Sequence, residues 1–153
     1  MFAPLLNGGC LYTIGFTEKS AEKFFSLLKT AGVKRIVDIR LNNKSQLAGW
    51  AKGSDLPFFA KEICNIGYEH NIDFAPTKDL LSRYRDKSTS WQEYEIEFLS
   101  LLNSRNVAQR TDIEKLHETC FLCSEHKPDQ CHRRLLVEYF QQMNSDVEIV
   151  HLI

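Results

Sequence analysis

The chain has 153 residues, 43% of them hydrophobic and 25% charged, with 19 Lys and Arg against 20 Asp and Glu for a net charge of -1. That length suits one domain, residues 1–153, with a sizeable core, and the near-balanced charge gives no support to general nucleic-acid binding. Five cysteines, an odd number in a chain of ordinary length, argue against a disulfide scaffold and for a reducing compartment. The start, MFAPLLNGGCLYTIGF, carries no Lys or Arg, and Asn7, Gly8 and Gly9 break its apolar run. Neither a secretory signal nor a lipoprotein site at Cys10 is expected. No stretch approaches the ~18 apolar residues of a membrane span. A cytoplasmic protein with no membrane partner is expected.

In chain order, LYTIGF (Leu11–Phe16) has strand composition. Thr17 or Ser20 then caps a helix, SAEKFFSLLKTAG, with Phe24, Phe25, Leu27 and Leu28 on its apolar face and Gly32 at its C-terminal cap. VKRIVDIRL (Val33–Leu41) reads as a second strand, and Asn42 to Asp55 as a long polar loop. LPFFAKEICNIG is expected to be a helix ending at Gly67, and YEHNIDF a third strand or extended piece. PTKDLLSRYRDK places Pro76 in a first helical turn, with Leu80, Leu81 and Tyr84 at helical spacing.

SWQEYEIEFLSLL has Ser90 and Glu93 at capping-box spacing, and its apolar face is Trp91, Tyr94, Phe98, Leu101 and Leu102. ETCFLCSE, CHRRLLVEYFQQM and DVEIVHLI complete the chain as strand, helix and strand. The alternation predicts an α/β fold, a three-layer sandwich of flanking helices around a mostly parallel sheet of about five strands. Ligands in such sheets sit beyond the carboxyl ends of the strands, where IVDIR–LNNKSQ and FLCSE–HKPDQCHRR both fall.

The second of these segments admits several chemistries. Cys120, Cys123, Cys131 and a histidine have the donor types of a zinc site. Residues three apart in a strand point to opposite faces, however, and Phe-Leu is no metal knuckle. Cys131 and His132 also diverge if both are helical; a metal held by Cys123, Cys131 and His126 or His132 stays open as an alternative, but no metal site and no cofactor are assigned. A thiol at a strand end facing a helix N-terminus, with Arg133 or Arg134 near, favours thiolate. Thiol phosphatases and sulfurtransferases share that arrangement, although the loop here is longer than in the phosphatases. The alternatives for Cys123 are a small buried apolar residue or half of a reversible disulfide with Cys131.

Asp38 and Arg40 lie on one face at the end of the second strand, either as an ion pair or with Arg40 offered as a fork to an anion. His70, beside Tyr68, is placed toward the same rim. His117 and His151 read as surface or packing residues. Trp50 is a lid or a clip onto the surface, and Trp91 is assigned to the core.

Nearly end to end, the chain resembles the domain of unknown function 488 family. The resemblance rests on YTIGFT, AGVKRIVDIR, IGYEH, APTKDLLSRYR with SWQEYEIEFLSLL, FLCSEHKPDQCHRRLLVEYF and VEIVHLI. Its most specific part is Cys-x-Glu, a loop Pro and Cys-His-Arg, matched by Cys123, Glu125, Pro128, Cys131, His132 and Arg133. Val37, Asp38, Ile39 and Arg40 match the family's Val-Asp-Val-Arg strand. Phe16 and Thr17 stand where the family usually has His-Ser. Asn42 and Asn43, then Ser45–Gln46, replace its Pro and Ser-Arg, and APT replaces a frequent Gly-Gly. The resemblance implies the α/β fold and strengthens both rim segments, but it brings no reaction with it.

The rim site expected from these readings has Cys123, Glu125 and His132 as catalytic residues and Asp38, Arg40, Cys131 and Arg133 as substrate-binding ones. Arg40 and Arg133 would hold a small anionic or phosphate-bearing ligand, with Glu125 or His132 as general acid/base and Cys123 as nucleophile. A second reading is a non-catalytic module binding nucleic acid or protein through Lys44, Lys52, Arg83, Arg85, Lys87, His132, Arg133 and Arg134. A third is a redox or metal switch through Cys123 and Cys131. The oligomeric state is left open.

Overall fold

In the computed structural model, residues 9–44 and 48–153 are described. The apolar start up to Gly8, and Ser45–Gln46 of the first rim loop, lie outside the described residues. Five strands form one sheet: β1 (Cys10–Gly15), β2 (Arg35–Asp38), β3 (Gly67–His70), β4 (Thr119–Cys123) and β5 (Glu148–Leu152). Their order is β3-β2-β4-β1-β5, and every pairing is parallel. The expected α/β sandwich is therefore realised with an all-parallel sheet.

Six α-helices connect the strands: α1 (Ala21–Ala31), α2 (Leu56–Phe59), α3 (Lys78–Arg85), α4 (Trp91–Ser104), α5 (Val107–Arg110) and α6 (His132–Met143). Local chemistry sets their ends. The Ser20 side chain accepts the Lys23 amide at the start of α1, and Gly32 closes that helix in the left-handed region at φ 76. Ser90 accepts the Glu93 amide and opens α4. Among the described residues, no helix is long and apolar enough to cross a membrane.

Several boundaries differ from expectation. α2 loosens into a π-turn over Ala60–Cys64 and stops at Asn65, which takes φ 55, so Gly67 opens β3 instead of ending a helix. The extended piece foreseen through Phe74 ends at His70, because Asn71 accepts the Asp73 amide and starts a 3-10 turn. Pro76 lies outside α3, whose cap is Thr77 accepting from Leu80. Trp50 is a clip: its ring packs at 4.8 Å from Phe24, 5.8 Å from Phe25 and 6.5 Å from Phe16. Trp91 is only partly buried, stacked on Tyr94.

The sheet separates two cores. Phe24, Phe25 and Leu28 of α1 pack with Leu56, Ile36 and Leu122 on one face. Phe98 of α4 and Leu136, Val137 and Phe140 of α6 pack with Val37 and Phe121 on the other. The helix after β1 thus covers one face and the helix after β4 the other, although β1 and β4 are neighbours. That divergence opens the crevice in which α/β sheets bind ligands, at the carboxyl ends of β1 and β4. Gly15 and Cys123, paired in register, stand at its mouth.

Candidate active site at the carboxyl rim

The two polar rim segments meet the crevice on opposite faces of the sheet. Asp38 is aligned with Leu122 across β2 and β4, so Cys123, one residue further on, points the other way. On the α1 face Arg40 donates from Nε to Asp38 Oδ1 at 2.9 Å and from Nη2 to Oδ2 at 2.7 Å. Nη2 also reaches the Ala51 carbonyl at 2.6 Å, and the guanidinium lies 5.2 Å from the Phe16 ring centroid. Tyr68 donates to Asp38 Oδ2 at 2.5 Å and accepts from Asn43 at 3.1 Å. His70 Nε2 caps the Arg40 carbonyl at 2.7 Å. Burial first, then the bond to Asp38, pushes the Tyr68 phenol up to about 12. Asp38 and Arg40 are both buried, and each answers the other's charge.

On the α6 face the sequence brings together Cys123, Cys131 and His132. Their sulfurs and a ring nitrogen all lie within 4.8 Å of one another. Cys131 is the N-cap of α6 with extended backbone, φ -138 and ψ 139, while His132 is its first helical residue. The divergence expected of two adjacent helical side chains therefore does not arise, and both turn toward Cys123. His132 Nε2 lies 2.8 Å from the Ile39 carbonyl. A carbonyl only accepts, so Nε2 carries a proton; the Cys123 sulfur lies against the ring, 3.6 Å from Nδ1 and 3.8 Å from Nε2. Cys120 belongs to the opposite core, as strand parity requires.

Hydrogen bonding decides which thiol ionises first. A bond from Cys131, the backbone groups of Ser124 and Glu125, and the charge of Arg133 together hold Cys123 below the ordinary thiol value despite its burial. Cys131 is pushed well above that value by burial and by its bond to Cys123. Burial raises Cys120 as well. All five cysteines are free thiols.

Arg133 is fully buried, and its donors go to the protein. Nη1 binds the Glu125 carbonyl, Nη2 the His126 carbonyl at 3.0 Å, and Nε the Thr13 hydroxyl at 3.3 Å. Nη1 also lies 3.6 Å from Cys131 Sγ. Arg133 thus fixes the loop after β4 and leaves little of its fork for a ligand. Gly15 makes that loop's position possible: a Cβ there would sit 1.6 Å from the Glu125 carbonyl oxygen. The sequence reading missed this role, although a glycine at the end of a strand is its usual signal. It also missed Thr13, which links Arg133 to His151 through a 2.6 Å contact.

The side chain of Glu125 is exposed and lines an open groove of about 500 Å³ with Thr17, Glu18, His126, Lys127, Asp129 and Gln130. Cys123, Cys131 and His132 are 5%, 3% and 6% exposed, so the cluster is buried behind the loop whose side chains line that groove. Of the basic residues considered for a binding face, Arg83 is paired with Asp79 and Glu97. Arg134 lies beside Glu95 and Glu138, while His132 and Arg133 are buried.

Fold and site together define an α/β domain with a cysteine-histidine cluster at the switch point of a parallel sheet. The family profile described as Domain of unknown function DUF488 matches residues 20–140. The chain belongs to that family. No curated protein and no solved structure matches it.

Proposed function

We propose that the crevice beyond β1 and β4 takes a small anionic or phosphate-bearing molecule and that Cys123 acts on it as a nucleophile. The observation that carries the reading is the placement of the Cys123 sulfur, held between the Cys131 thiol, the first backbone groups of its own loop and His132 Nδ1 at 3.6 Å. The thiol and backbone donors stabilise negative charge on sulfur and on a bound anion alike, and the unprotonated Nδ1 accepts the thiol proton. Lys127 and Lys19, the latter 3.3 Å from His126 Nδ1, supply the positive charge near the entrance, among the carboxylates of Glu18, Glu125 and Asp129.

In the step proposed, His132 Nδ1 takes the Cys123 proton. Sulfur bonds to the electrophilic atom of the ligand, the bond to the leaving group breaks, and the leaving group receives the proton from His132. Glu125, at the edge of the groove, is the other acid/base group of the loop. Arg133 acts as a positioning residue, through its grip on the Glu125 and His126 carbonyls, and not as a direct anion fork. Asp38 and Arg40 shape the opposite wall. No cofactor enters the step.

The test is thiol labelling of the metal-free, reduced chain with iodoacetamide, read by peptide mapping. Cys123 should label faster than Cys10 and Cys64, which are more exposed, and phosphate or sulfate should slow it selectively. Labelling that follows exposure alone, with no anion effect, would sink the reading.

A further inference from the structure

We infer that Cys123, Cys131 and His132 form a three-ligand site for a thiophilic divalent cation, with Zn2+ the best match to the donors. The inference stands on the placement of these three side chains and does not depend on Cys123 being a nucleophile.

The spacing is the first argument. Around tetrahedral zinc, Zn–S of about 2.3 Å and Zn–N of about 2.0–2.1 Å put sulfur and nitrogen about 3.6 Å apart and two sulfurs about 3.8 Å apart. His132 Nδ1 and Cys123 Sγ are 3.6 Å apart, and all three donor atoms fall within 4.8 Å of one another. A cation replacing the thiol protons therefore fits once the imidazole turns its Nδ1 lone pair toward Cys123 and the donors close by up to about 1 Å.

The surroundings are the second argument. Ligating histidines characteristically donate their other ring N–H to a carbonyl or carboxylate, which fixes the tautomer and aims the lone pair. His132 donates in this way through Nε2 to the Ile39 carbonyl at 2.8 Å, which fixes the tautomer and leaves Nδ1 unprotonated for a cation. Arg133 Nη1 stands 3.6 Å from Cys131 Sγ, placed to donate to a thiolate ligand. The His132 ring is braced by Phe98, 5.5 Å away between ring centroids.

Charge then says what completes the site. Two thiolates, a divalent cation and Arg133 sum to one positive charge, so the fourth coordination position favours hydroxide or another small anion. Three protein ligands with an open fourth position are the arrangement of catalytic zinc. The soft sulfurs select against Mg2+ and Ca2+. The ligand pattern is Cys123, then Cys131–His132, and it omits Cys120 despite the Cys-x2-Cys spacing, because Cys120 lies in the other core.

The experiment is titration of the reduced, metal-free full chain with Co2+ and then Zn2+. The expected result is about one metal per chain, with the intense visible bands and sulfur-to-metal charge transfer of a tetrahedral site with two thiolates. Zn2+ should bleach the cobalt spectrum and remove two thiols from those a disulfide reagent can reach, and a chelator should restore them. Cys120→Ser should bind as the parent does, while Cys131→Ser and His132→Ala should lose the spectrum, with near-ultraviolet circular dichroism checking their fold. Absence of the thiolate bands in the folded parent chain would overturn the inference, with no variant needed. So would a spectrum that Cys120→Ser abolishes. Anion-protected labelling of Cys123 without metal binding leaves the nucleophile reading and removes this one; cobalt binding with an inert metal-free Cys123 does the reverse.

Discussion

The ends of β2 and β4 lie side by side, and each carries buried polar groups, yet the two are chemically unlike. At β2, Asp38 and Arg40 meet through two hydrogen bonds, with Tyr68 and the Ala51 carbonyl taking further positions. The charges there are matched within one pair, so the cluster holds a wall in place, although among the described residues Arg40 Nη1 is buried with no hydrogen-bond partner. At β4, two thiols and an imidazole converge, and one thiol is eased toward ionisation while the other is driven away from it. A charge that already has its counter-charge makes architecture. Groups whose mutual bonds favour one charged form, with a nitrogen lone pair beside them, are placed for chemistry or for a cation.

The contrast can be broken most severely at Arg40. Arg40→Met leaves Asp38 buried without its cation, and a loss of about 3–5 kcal/mol is expected by urea denaturation. Unchanged stability with loss of Cys123 labelling would move Arg40 from the wall into the site. Gly15→Ala comes next. Its Cβ displaces the Glu125 carbonyl, at an expected cost of about 1–3 kcal/mol, and it should slow Cys123 labelling by moving the loop's backbone groups off the sulfur. Full labelling in that variant would show that the loop does not hold the sulfur's environment.

Tyr68→Phe removes one bond to Asp38, and a loss of about 1 kcal/mol is expected. It also carries a pH signature. The folded phenol titrates at about 12 against an ordinary 10.0, so the folded chain holds that proton more tightly than the unfolded one. Stability from Tyr68 is complete below pH 10 and declines toward pH 12. Alkaline denaturation of Tyr68→Phe should be correspondingly flatter, and an identical slope would remove Tyr68 from the account. The smallest stability effect belongs to His132→Gln, under about 1 kcal/mol, because the amide can still donate to the Ile39 carbonyl. Its effect on metal-free Cys123 labelling should be about a hundredfold. Equal labelling rates in parent and variant would leave His132 a packing residue.

The sequence by itself determined the alternation of strands and helices, because apolar period and end signals act over a few residues. Ser20, Gly32, Ser90 and Gly67 all lie at element ends, although Gly67 opens a strand where a helix end was expected. Strand parity likewise separates Cys120 from Cys123 and pairs Asp38 with Arg40. The tertiary structure decided what faces what. The register of β2 against β4, aligning Asp38 with Leu122, sends the two rim clusters to opposite faces, and a shift of one residue would have merged them. The extended backbone of Cys131, one residue before α6 begins, lets it converge with His132 on Cys123. Arg133 reads as an anion fork in sequence and is a loop clamp in space, because Thr13, Glu125 and His126 bring their oxygens to it from other segments. Local patterns are set by neighbours along the chain, whereas the partner of a buried polar group is set by whichever oxygen, nitrogen or sulfur the fold delivers within about 3–4 Å.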